Sequence, residues 1–136
     1  MKGRGMDTSL QDWSAARTQE LPGAELTHPF GEDWEVWKVR GKVFMLHTQV
    51  TGEPLVILKA TPADARFLEE AHATITPGYH MNKKHWITLS PGGDIDPSLV
   101  DDLVTESYLL VVENLPKGER PVDPDTFGQP TDSDAE

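Results

Sequence analysis

WEVWKVRGKVFMLH, residues 34 to 47, is the stretch on which the fold turns. It is rich in Trp, Val and Phe and is broken only at Arg40-Gly41, so it reads as two strands joined by a tight two-residue turn. With Arg40-Gly41 as the loop, Val39 pairs with Lys42 and Trp37 with Phe44. Strict alternation then puts Trp37, Val39, Phe44 and Leu46 on one face, which is expected to be core.

Downstream of this hairpin, Gly52-Glu53-Pro54 turns the chain into the uninterrupted apolar run Leu55-Val56-Ile57-Leu58-Lys59, the pattern of a central strand covered on both sides. Thr61-Pro62-Ala63-Asp64 then opens a helix with a cap, a proline at the first helical position and an acid three residues after the cap. That helix is expected to reach about His72. A short strand follows around Trp86-Ile87-Thr88-Leu89, after the Pro77-Gly78 turn. Asp96-Pro97 starts the longest helix, with a core stripe of Leu99, Val100, Leu103, Val104, Ser107, Leu110 and Val111. Upstream, Leu10, Trp13, Arg17 and Leu21 recur at helical spacing from a cap at Thr8 or Ser9 to the stop at Pro22-Gly23, predicting a first helix over 9–20. Hairpin-type links imply a two-layer α+β domain, an antiparallel sheet with helices packed on one face.

Composition narrows the function classes. The chain has 136 residues, within the range of one domain, and no cysteine, which removes disulfides, zinc-thiolate sites, iron–sulfur clusters and thiol nucleophiles. No run approaches the ~18 apolar residues of a membrane span, so no membrane association and a cytoplasmic location are expected. Net charge is −11, which repels polyanions at long range and requires any anion site to be a local patch. From Pro116 onward the chain carries four prolines, six acids and two bases. Residues 118–136 are therefore expected to form a disordered acidic tail, residues 1–8 a flexible N-terminus, and residues 9–117 the folded domain.

Two basic elements are the candidate sites. Tyr79-His80-Met81-Asn82-Lys83-Lys84-His85-Trp86 combines two lysines, two imidazoles, an amide and two aromatic rings with no acid. Lys supplies point charge, Asn and His donate hydrogen bonds, and Tyr79 or Trp86 offers a stacking surface, a set suited to a polyanion such as DNA. The alternative is that the rings are core anchors and the lysines a solvated turn. The hairpin tip adds Lys38, Arg40 and Lys42, able to act as a wing against phosphate, although alternation sends Lys38 and Lys42 to opposite faces. Strand-edge lysines that block aggregation are the competing explanation. His80 and His85 miss the helical spacing of a metal pair and lack a third ligand, so no metal or cofactor is expected. Asp96 is read as the cap of the last helix, with Asp94 in the preceding loop. No familiar catalytic motif is present, which argues for a binding module over an enzyme. Leu109 and Val112 widen the apolar face of the last helix, either as a homodimer contact or as surface covered by the domain's own strands.

Read in order, Leu21-Pro22-Gly23-Ala24-Glu25, Pro29-Phe30-Gly31, Trp37–Phe44, PGYHMNKKHW over residues 77–86, Ser107-Tyr108 and Leu115-Pro116-Lys117 resemble the MmcQ/YjbR family, over roughly residues 9 to 117. The resemblance implies a YjbR-like fold of the secretion-chaperone-like or frataxin-like kind, also compared with double-wing DNA-binding domains. It further implies a DNA-binding role with no established biochemical activity. Carried onto this chain, the nucleic-acid surface would be Lys38, Arg40 and Lys42 with His80, Asn82, Lys83, Lys84 and His85. A protein-interaction or chaperone-like dimeric domain is the alternative, and a small-anion binder or an enzyme the third.

Overall fold

A computed structural model describes residues 8–127. The chain forms α1 (Ser9–Thr18), β1 (Ala24–Thr27), β2 (Trp34–Val39), β3 (Lys42–Thr48), β4 (Leu55–Lys59), α2 (Pro62–Ala71), β5 (Ile75–Pro77), β6 (Trp86–Leu89) and α3 (Pro97–Glu113), followed by a 3-10 turn at Lys117–Glu119. One antiparallel sheet in the order β1-β2-β3-β4-β6-β5 carries the helices on one face, so the α+β two-layer expectation holds. The caps of α2 and α3 fall where the sequence places them, whereas Thr8 at the start of α1 makes no side-chain cap bond. Thr61 Oγ1 accepts from the Asp64 N–H, and the Asp96 carboxylate from the Leu99 N–H.

Two strands are additional to the expected four. β1 and β5 are the two edges of the sheet, only four and three residues long, and β5 ends on Pro77. Short, proline-marked edges carry little of the apolar alternation that reveals a strand. The first helix stops at Thr18, two residues before the expected end, and a hydrogen-bonded turn carries the chain to Leu21. Its buried face includes Ser14 and Thr18, polar residues that an apolar stripe cannot reveal.

The hairpin turns at Arg40-Gly41 and Val39 pairs with Lys42, as read. Arg40 and Gly41 both have positive φ, 51° and 78°, the two-residue turn whose twist suits a hairpin. Trp37, however, pairs with Met45 and not with Phe44, because a bulge between Trp37 and Lys38 leaves Phe44 as the extra residue. One inserted residue reverses the parity of everything beyond it. Phe44 and Met45 both enter the main core with Trp37 and Val39, while Leu46 is corrected to the opposite face with Val36.

The helix-side core joins α1, α2 and α3 to Val56, Leu58, Ile75, Ile87 and Leu89 of the sheet. Val112 is fully buried in it and Leu109 packs against it. Of the two readings offered for these residues, a homodimer contact or cover by the domain itself, the second describes Val112, while Leu109 is partly buried at the edge of the core. Residues 118–127, expected to belong to the acidic tail, are packed on the domain. Val122 and Phe127 pack on the core, Phe127 lies 5.9 Å from the Tyr108 ring, and Arg120 donates to the carbonyls of Leu115 and Glu113. These apolar and polar anchors repay the ordering of a segment whose composition reads as disordered. Residues 1–7 and 128–136 lie outside the described residues.

Candidate functional site

Among the described residues no helix covers the second face of the sheet. Val36, Leu46, Ile57 and Trp86 form a small core there, and Trp34, Val43, Tyr79 and Met81 pack on it. The strand register explains the composition. Val36, Leu46 and Ile57 are successive cross-strand partners, so one apolar row runs across the three central strands and must be covered. The cover is the loop Gly78–His85, folded back over the sheet.

Gly78 makes that fold possible. Its N–H donates to the Trp86 carbonyl at 2.8 Å, and a Cβ at this position would lie 2.6 Å from Trp86 Cβ, so no side chain fits. The Tyr79 N–H then donates to Thr88 Oγ1, which donates to the Pro77 carbonyl. Lys83 Nζ donates back to the Gly78 carbonyl at 2.7 Å, and Asn82 Oδ1 accepts from the Lys84 N–H. Asn82 therefore shapes the loop with its acceptor. His80 takes a positive φ of 61° at the crest and is exposed.

The rings on this face have different fates. Tyr79 is half-buried and lies parallel to Trp34, centroids 6.3 Å apart and planes 11° apart, with the exposed His80 ring 4.2 Å from Tyr79. Trp86, the other expected stacking residue, is only 8% exposed, with Lys59 Nζ 5.2 Å from its centroid. It is an anchor of the small core, and no base can reach its ring. Trp34 takes its place, a residue the sequence reading left inside the hairpin.

The cations divide by the same parity rule. Lys38 pairs with Val43 and shares the helix-free face; Lys59 pairs with Trp86 on that face. The two lysines lie two strands apart, roughly 10 Å at ordinary strand spacing. Lys83, Lys84 and His85 occupy the loop beside Trp86, at the same end of the sheet, and all three are exposed. Lys42 pairs with Val39, whose side chain is in the helix-side core, and so points to the opposite face. Arg40 Nε donates to the Glu119 carbonyl at 2.8 Å, holding the hairpin tip to the C-terminal segment. Of the three hairpin cations, only Lys38 joins the loop. Lys59 was legible in principle, because alternation along LVILK puts it on the face of Ile57.

Acids are concentrated on the other layer. The three helices hold eight acids against two bases, whereas loop 78–85 holds none. Among the described residues the ion pairs are Arg17–Glu20, His47–Glu35 and His72–Asp94, and none involves a lysine of the helix-free face. Glu25, the cross-strand neighbour of Lys38, and Glu32 and Asp33, just before Trp34, mark the borders of the basic area.

A second polar constellation lies on the helix side, missed because its members are far apart in sequence. Ser14 Oγ is 2.7 Å from His47 Nε2, Glu35 Oε1 is 3.7 Å from His47 Nδ1, and the Trp37 ring lies 4.4 Å from the imidazole. Burial pushes the His47 pKa down, opposed by Glu35, and contact with this imidazole holds the Glu35 carboxyl below its usual range. Electrostatics favours the neutral tautomer with its hydrogen on Nδ1, facing the carboxylate. His47 borders an open acidic cleft of about 520 Å³ with Asp12, Glu32 and Asp33. Ser14 is fully buried, so the hydroxyl meets no substrate, and the chain of contacts fastens α1 to the sheet. Among the described residues no group of three or more His, Asp or Glu is arranged to hold a metal, and no helix is long and apolar enough to cross a membrane.

The fold and site together define a small α+β domain whose sheet has one helix-covered acidic side and one loop-capped side bearing cations and aromatic rings. The chain belongs to the YjbR family, which it matches over residues 19–110. It is 42% identical over 109 residues to the uncharacterized protein YbdF of Escherichia coli O157:H7, covering 80% of this chain and 89% of that protein. It is 35% identical over 101 residues to the uncharacterized protein YjbR of Escherichia coli K12, covering 73% and 84%. The crystal structure of Deinococcus radiodurans protein DR2400 superposes with a TM-score of 0.71 at 34% identity, covering 77% of this chain and 80% of that one. A Pseudomonas syringae protein at 23% identity, covering 74% and 96%, shares the fold with a TM-score of 0.63.

Proposed function

We propose that the loop-capped face binds nucleic acid, chiefly through the phosphate backbone. One observation carries this reading: Lys38, Lys59, Lys83 and Lys84 share the helix-free face while the helical acids lie on the other layer. A molecule of net charge −11 can dock a polyanion only through such segregation, since attraction is local once salt screens beyond ~10 Å. The lysines supply charge without base readout, so binding is weak and independent of sequence. This reading places the protein in the cytoplasm and assigns binding with no catalysis.

The test is fluorescence anisotropy of a labelled oligonucleotide at low ionic strength, repeated as salt rises. The logarithm of affinity should fall linearly with the logarithm of salt concentration. Lys83→Ala with Lys84→Ala should flatten the slope by about 1.5 to 2, and Lys42→Ala, on the opposite face, should leave it unchanged. Absence of salt-dependent binding at low ionic strength would remove the proposal.

A further inference from the structure

We infer that the ligand of this face is a single strand with unpaired bases and not a duplex. The inference rests on the nucleic-acid reading above and narrows it. Three features of the geometry support it. The first is that the three α-helices of the described residues all lie on the acidic side of the sheet, so none of them enters a groove. The second is the hairpin tip, which a winged duplex binder would extend along the phosphates. Here Arg40 is turned to the Glu119 carbonyl of the C-terminal segment and Lys42 faces the helix side, so neither extends a wing along a duplex lying on the loop-capped face.

The third is the order of chemistry across the face. Lys38, Lys59 and the lysine pair lie toward the end of the sheet marked by Trp86, whereas Trp34 begins β2 at the other end, beside Glu32 and Asp33. Tyr79 and His80 bridge from the loop to Trp34, giving one row of three rings that are half-buried or exposed. A strand laid over this surface puts phosphates on the lysines and turns its bases onto the rings. A duplex cannot, because its bases are paired inside and do not reach the rings. Aromatic stacking is tolerant of sequence because every base has a π face.

The experiment compares the full chain binding a mixed-sequence strand of about 12 nucleotides with the same sequence as a duplex at matched low salt. The strand should bind at least tenfold more tightly, with quenching of tryptophan emission. Trp34 is the half-buried tryptophan of this face; Trp37 and Trp86 are buried and Trp13 packs on the helix-side core. Trp34→Phe should therefore abolish most of the quenching while retaining a ring for folding and most of the affinity. His80→Ala, at an exposed position, should weaken the strand about five- to hundredfold and the duplex little. Equal or tighter binding of the duplex, or saturation by the strand with no change in tryptophan emission, overturns the inference and leaves the broader reading standing. Failure of both forms to bind sinks the broader reading as well.

Discussion

Ser107 sits where the bulge interrupts the sheet. Its hydroxyl donates to the Phe44 carbonyl at 2.5 Å and accepts from the Lys59 N–H at 2.8 Å, satisfying two backbone groups beside the bulge. The neighbouring Tyr108, also fully buried, donates to the Pro22 carbonyl at 2.6 Å, and burial raises its pKa to about 12. Ser107→Ala should cost about 1–3 kcal/mol per orphaned group, read from urea unfolding, and a loss under ~0.5 kcal/mol would show that the gap closes without the hydroxyl. His47 offers a pH readout. Its folded pKa lies below the ~6.5 of the unfolded chain, so as pH falls through 6.5 the unfolded state takes up the proton first and stability declines. The Glu35 contribution, from a lowered carboxyl pKa, is lost only at lower pH, as the solution passes below the ordinary carboxylate range. Unfolding free energy should fall between about pH 7 and pH 5.5, and His47→Gln should flatten that stretch of the profile. Neither residue's role is visible in a linear reading, because each depends on partners between 12 and 63 positions away.

At the scale of elements, the hairpin, the central apolar strand and the capped helices were legible from local chemistry: a two-residue turn, a run of five, a cap followed by proline. The edge strands were not, since they are held by pairing to β2 and β6 and carry little burial of their own. The C-terminal segment shows the opposite failure. Its prolines and acids read as tail, yet Val122 and Phe127 find an apolar surface already built by Tyr108 and the core. Deleting the chain from Gly118 should therefore destabilise the domain by on the order of 2 kcal/mol, seen as a lowered melting temperature. Deletion from Gly128 leaves every described contact of Phe127 and Arg120 in place and should leave melting unchanged. Equal melting of the two truncations would show that the packed segment contributes nothing.

For the molecule as a whole, electrostatics is a matter of sides more than of sums. Deletion from Gly128 removes Asp132, Asp134 and Glu136 and should tighten strand binding at low salt, with the gain vanishing as salt approaches physiological strength, in an anisotropy titration. An unchanged low-salt affinity would mean that these charges do not oppose the basic face. The sequence by itself determined the elements with strong local signals, the α+β class, the basic loop between Pro77 and Trp86, and the excess of acid. Those are properties of neighbouring residues, set by turn chemistry, capping and periodicity. Tertiary structure alone decided which cations share a face, which aromatic ring is accessible, and where the wide face of α3 goes. A single extra residue at Phe44 moved Leu46 from one side of the sheet to the other, and the fold-back permitted by Gly78 buried Trp86 while bringing Tyr79 to Trp34. Side-chain direction along a strand is a parity, and the closing contacts of the fold, not local propensity, set its value.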